Sequence, residues 1–197
     1  AGWADGRMSR VEAEAVFSAQ HAITDPSAAW SDFFVEAISN YVLKESQPHG
    51  YASEEEASWL IGQVEADGGV CSMTEFELLS RIAEKAMNVP ESLKSWILAT
   101  LECEVLTGVG PTRCGGELSD KHVTEAECRI IRRVIFGQAS DRPAAVSQRE
   151  AEMMFRIKNA TLENANAPEF KRLFVQSVGN YLMGFCSDNA QISAARM

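Results

Sequence analysis

The chain lacks the features that organise most disulfide-held or metal-held small folds. Its 5 cysteines, Cys71, Cys103, Cys114, Cys128 and Cys186, are an odd number, and no two form a Cys-x-x-Cys pair. A disulfide framework and a structural zinc knuckle are therefore not expected, and a reducing, cytoplasmic setting is. Long hydrophobic runs are absent too. The stretch from Trp96 to Leu101 is broken at once by Glu102, far short of the roughly 20 residues that span a bilayer. No membrane association is expected, and nothing at the start resembles a secretory signal. Basic charge is scarce: 18 Lys and Arg stand against 28 Asp and Glu, a formal net charge of -10. That sign argues against a nucleic-acid partner, whose phosphates require a basic face.

Catalytic signatures are equally thin. The 3 histidines, His21, His49 and His122, stand alone in sequence, with no His-Glu-x-x-His helix and no Glu-x-x-His pair. Each reads as a surface or loop residue before it reads as a ligand. Glu12 and Glu14 are two apart on one helix, face different sides and make poor acid–base partners. Cys71, just ahead of a helix start, and Cys114, in a glycine-rich loop, are the thiols placed for a lowered pKa. No enzyme is expected.

What the chain does have is a recurring helix-start signal. Ser/Thr-x-x-Glu occurs at Ser9–Glu12, Ser53–Glu56, Ser72–Glu75, Thr124–Glu127 and Ser147–Glu150. In such a capping box the hydroxyl and the glutamate satisfy backbone N–H groups that the helix leaves unpaired. Other helices follow proline instead, at Pro26, Pro90 and Pro168, where a missing N–H costs little. Apolar periodicity after these signals predicts helices over 9–23, 30–45, 53–66, 72–88, 91–107, 124–136, 147–160 and 169–183. The apolar spacing of the proline-led helices superimposes from Trp30, from Leu93 and from Phe170. At the position of Tyr41 and Tyr181, the middle helix carries Glu104.

The order of these signals implies an all-α fold of about eight helices. They group into three related helix–(Asp loop)–helix–helix repeats with loops at Asp5, Asp67 and Asp141, the first copy lacking its leading helix. Single units cannot cover their own apolar faces, so the copies should stack into one domain over 1–197. Within it, lobes at 1–107 and 118–185 would be joined by the glycine-rich segment 108–117. If that segment is a functional loop rather than a linker, Arg113 and Cys114 are its candidates.

The loops Ala4-Asp5-Gly6 to Glu12 and Ala66-Asp67-Gly68 to Glu75 give the chain a resemblance to TerB-like, tellurite-resistance helical domains. Ala66 to Leu101 carries it best. The same helix–aspartate loop–helix order resembles a degenerate EF-hand. The resemblance implies a cytosolic, non-catalytic protein that binds divalent cations or partners in a stress response.

On that reading the candidate metal ligands are Asp5, Glu12, Glu65, Asp67, Glu75, Asp141 and Glu150. No loop meets the oxygen count of a calcium hand. With Gly68 at the turn position, for instance, Cys71 takes the ninth place and Glu75 falls one residue late. Turn formation and capping therefore explain each carboxylate better than ligation, and a weak site at Asp67 with Glu65 and Glu75 is the remaining cation reading. The leading expectation is a helical repeat protein that acts by binding a protein partner or a second copy of itself, without a cofactor. The alternative is a module that weakly binds a divalent cation.

Overall fold

A computed structural model describes residues 7–45, 49–113, 121–137 and 146–194, with side chains described as far as Gly184 in the last helix. It is all-helical, and there is no strand among the described residues. The helices are α1 (Arg10–Ala22), α2 (Ala28–Asn40), α3 (Glu54–Glu65), α4 (Met73–Lys85), α5 (Glu91–Thr107), α6 (Glu125–Phe136), α7 (Gln148–Ala160) and α8 (Pro168–Ala194). All five expected capping boxes form, opening α1, α3, α4, α6 and α7. Each is worth about 1 kcal/mol of helix stability.

Three helix ends differ from the sequence reading. The predicted helix 30–45 starts earlier, capped by Ser27, and its last stretch, Tyr41–Glu45, is a π-helix. The helix expected to reach residue 88 stops at Lys85, because the chain there turns to pair with another loop. Met87 N–H donates to Gly50 O at 2.7 Å, and Asn88 O accepts from Ala52 N–H at 3.2 Å. The last helix does not stop before Gly184 but runs on to Ala194. Glycine inside a helix costs about 1 kcal/mol relative to alanine, which weakens a helix without ending it.

Each helix packs against the one two places further along, from α1 on α3 to α6 on α8. The odd-numbered helices therefore form one row and the even-numbered helices a second, with α1·α2, α5·α6 and α7·α8 bridging the rows. α4 lies between α2 and α6, which explains why Phe76, Leu78, Leu79 and Ile82 on different sides of it are all buried. Phe17 ties α1 to its neighbours, meeting Phe34 edge-on at 5.1 Å and Trp59 at 5.7 Å. Of the aromatic side chains on α2, α5 and α8, Phe34 and Phe170 are buried, Trp96, Phe174 and Tyr181 pack partly against the core, and Phe33 is exposed.

The segment after α5 is not an open strand of chain in its described part. Pro111–Arg113 forms a single 3-10 turn, and Thr112 and Arg113 are buried between α5 and α6. Thr112 Oγ1 lies 2.6 Å from Glu104 Oε2 and 2.8 Å from Glu127 Oε1, and Arg113 Nε lies 3.1 Å from Glu127 Oε1. One hydroxyl proton cannot serve two carboxylates at once. The chain of bonds is complete when Glu104 is protonated and donates to Thr112, which then donates to Glu127 facing Arg113. Burial pushes the Glu104 carboxyl above its ordinary value, partly opposed by the Thr112 hydrogen bonds.

A raised folded-state pKa means the folded protein holds this proton more tightly than the unfolded chain. The stability it contributes is full below the ordinary glutamate range and is lost as pH rises through the raised value. Glu104→Gln keeps a donor for Thr112 and removes the titration. Urea unfolding should therefore show the variant gaining on the wild type as pH is raised from 5 to 8; a constant difference would refute the protonated arrangement.

Candidate metal centre

Three carboxylates that cap helices are almost fully buried: Glu75, Glu127 and Glu150 are 1%, 0% and 5% exposed. Each divides its two oxygens. Oε2 reaches back to the backbone ahead of its helix, accepting from Ser72 N–H at 3.0 Å, Thr124 N–H at 2.8 Å and Ser147 N–H at 2.7 Å. Oε1 faces another part of the protein. At Glu150 it meets the Lys94 ammonium at 2.7 Å, and at Glu127 the Arg113 guanidinium at 3.1 Å. Both are basic side chains at contact distance, although no Arg113 nitrogen makes a hydrogen bond.

At Glu75 the arrangement changes. Its Oε1 faces His21 Nε2 at 3.7 Å, and Asp67 Oδ2 lies 3.8 Å from the same nitrogen. These distances exceed a hydrogen bond, and His21 Nε2 is buried without a hydrogen-bond partner. A protonated Nε2 has no acceptor in range, and an unprotonated one points its lone pair at two carboxylates. One ligand atom from each of the three residues falls within 4.8 Å of the others.

Local structure holds these groups in place. His21 sits in the last turn of α1, stacked four residues after Phe17, with ring centroids 6.1 Å apart. The neighbouring Gln20 fixes that turn, accepting from Trp30 Nε1 at 2.7 Å while its Nε2 lies 3.5 Å from Ser72 Oγ, the cap of α4. Asp67 opens the turn between α3 and α4, where Gly68 and Gly69 adopt φ of 115° and 117°, values that a side chain would strain. That turn brings the carboxylate of Asp67 back over the start of α4. Glu75 is locked by its cap, with Cys71 N–H donating to Oε2 at 2.7 Å in addition to Ser72.

Electrostatics are poised against a bare carboxylate pair. Burial pushes the Glu75 carboxyl above its usual range, and the Asp67 charge adds to this. The N–H groups of Cys71 and Ser72, and the facing His21, oppose the shift. The Cys71 thiol is pushed up as well, by burial first and then by the charges of Asp67 and Glu75. The lowered pKa expected from a helix start is therefore reversed, because burial, with the charges of Asp67 and Glu75 added to it, disfavours the thiolate.

Of the sequence candidates, the structure brings Asp67 and Glu75 together. Glu65 turns away and accepts from Trp96 Nε1 at 2.9 Å. Glu12 closes its own box with Ser9, and Glu150 is held by Lys94. Arg113 is fully buried on Glu127, away from any open loop surface. Asp5, Asp141 and Cys114 lie outside the described residues. His21 is the member that sequence reasoning set aside. It comes from a different helix pair, far from Asp67 and Glu75 in the chain, and no local spacing announces it.

No protein-family model, curated protein or solved structure matches this chain. The arrangement of His21, Asp67 and Glu75 makes one chemical prediction independent of any ligand. Cys71 should react with iodoacetamide at neutral pH more slowly than a free cysteine, and Glu75→Gln, which removes a neighbouring charge, should speed it. Mass-spectrometric alkylation rates in the metal-free protein check both.

Proposed function

We propose that the chain is a non-catalytic, cytoplasmic helical module that binds one divalent transition-metal ion through His21 Nε2, Asp67 and Glu75 Oε1. The observation that carries this reading is the contrast among the three buried capping glutamates. Two meet a basic side chain at 2.7 and 3.1 Å, whereas Glu75 meets only an imidazole, at 3.7 Å, whose Nε2 is buried without a hydrogen-bond partner, as the Arg113 nitrogens also are. A divalent ion supplies at Glu75 the charge that Lys94 and Arg113 supply elsewhere.

The donor set favours zinc or a similar metal over calcium. Calcium takes six to eight oxygens, and this site offers one nitrogen and two carboxylates, a combination suited to zinc, with a fourth position open to water. Ligand atoms around tetrahedral zinc lie about 3.3 Å apart, from bonds of about 2.0–2.1 Å. The His21–carboxylate separations of 3.7 and 3.8 Å need a slight contraction, and the Asp67 and Glu75 oxygens, within 4.8 Å of each other, have to close as well. The resemblance of the Asp67 turn to TerB-like domains is in keeping with a divalent cation at this place. Binding would tie the end of α1 to the turn between α3 and α4, so the ion acts on conformation rather than on a substrate.

A second reading, binding of a protein partner or self-association, is favoured by α8, where Val175, Leu182 and Met183 are exposed. Sedimentation velocity across a concentration series tests it. Self-association should disappear in Leu182→Glu with Met183→Glu if that surface is responsible.

For the metal reading, titration calorimetry with zinc should give one site. Zinc at about 100 times its Kd should stabilise the protein by about 2.7 kcal/mol, raising Tm by about 5–10 °C for a chain of this size. Affinity should rise between pH 5 and 7, as the ligands give up protons. His21→Gln should abolish the shift while leaving the metal-free Tm nearly unchanged. Equal zinc binding by wild type and His21→Gln would refute the site.

A further inference from the structure

Outside the metal centre, the described surface carries a basic concavity at odds with the charge of the whole chain. Lys44, His49, Arg81 and Lys85 line an open cavity of about 640 Å³, together with Asn40 and, among the described residues, one carboxylate, Glu36. The protein as a whole carries 28 acidic and 18 basic residues. A wall in which cations outnumber the carboxylate reverses that balance locally, and converging positive groups concentrate anions there.

Arginine pairing makes the point sharper. Of the described arginines that are not exposed, Arg113 faces Glu127 and Arg133 bonds both Glu77 and Glu84. Arg81 is half-buried, yet its guanidinium has no hydrogen-bond or ion-pair partner among the described residues. Lys44 and Lys85 likewise have none. Their places in the last turns of the π-helix and of α4 suit the helix dipoles. Arg81, four residues before the end of α4, has no such role.

The walls are also fastened to one another. Gly50 N–H donates to Leu43 O at 2.6 Å, and Gly50 O accepts from Met87 N–H at 2.7 Å. One residue thus staples the π-helix to the chain leaving α4, and the basic groups on both are held around one space. The π-helix itself, which replaces the expected α-helical end of α2, turns Lys44 towards this space. A volume of this size suits a small molecule.

We propose that this concavity binds a phosphorylated polyol. Guanidinium and ammonium groups take the phosphate oxygens, with Arg81 able to do so through two N–H groups. Glu36 opposes a bare anion but accepts from a hydroxyl, and the Asn40 amide does the same or donates. Among the described residues, no Phe, Tyr or Trp lines the cavity, so none of them is placed to stack a nucleobase. The combination selects a ligand with anionic ends and a hydroxylated body.

The test is calorimetric titration of the full chain with fructose 1,6-bisphosphate, inorganic phosphate and fructose, at low ionic strength and with a chelator present. The bisphosphate should bind with a Kd of about 0.1 mM or tighter, inorganic phosphate at least about tenfold more weakly, and fructose not at all. Arg81→Gln and Lys85→Glu should each weaken the bisphosphate about tenfold, the effect of losing one charge-assisted contact. Lys171→Gln, on the exposed side of α8, should not. The His21→Gln variant should bind the bisphosphate like the wild type, which keeps this site separate from the metal centre. Absence of binding at millimolar bisphosphate overturns the proposal, as does unchanged affinity in both Arg81→Gln and the exposed Lys85→Glu. Equal affinity for inorganic phosphate overturns the polyol part of it.

Discussion

The fold depends on a carboxylate that does two things at once. At the starts of α4, α6 and α7, a glutamate three residues into the helix gives one oxygen to the backbone behind it and keeps the other for a distant side chain. The first bond fixes where the helix begins. The second fixes what the helix packs against: Lys94 of α5 for α7, and Arg113 after α5 for α6. Breaking such a buried pair from one side leaves a charge without a partner, at a cost of about 3–5 kcal/mol. Local helix geometry and long-range packing are therefore set by the same residue.

The two-row packing explains why Glu75 differs. α4 is pressed between α2 and α6, while its N-terminus is reached from the side by the last turn of α1 and from behind by the turn after α3. Three segments converge there, and among the described residues no lysine or arginine pairs with Asp67 or Glu75. Burial and two carboxylates at that junction raise the cost of charge on Glu75, whereas a histidine is a ligand that can be neutral. That composition is what supports the proposed cation at this junction.

Much of this was legible from local signals and little of it from distant ones. The Ser/Thr-x-x-Glu pattern located five helix starts within one residue, because a capping box is complete within four residues of sequence. It also led to Asp67 and Glu75. On sequence alone capping and ligation are alternatives, but the two oxygens of Glu75 separate these roles. Helix ends were harder: α4 stops early for a hydrogen bond to the loop at Gly50, and α8 continues through Gly184. His21 could not be chosen over His49 or His122, since its distinction lies in facing residues from another helix pair. Arg113 was singled out within a glycine-rich stretch, but its burial against Glu127 depends on how α5 and α6 pack.

Gly110 bears on the history the sequence can have. Its φ is 144°, and a Cβ built there would collide with the carboxyl group of Glu104. The history allowed to position 110 is therefore narrow: losing Glu104 would remove the collision, but the positive φ strains any side chain whatever the space, so glycine is kept at 110 by backbone and contact alike.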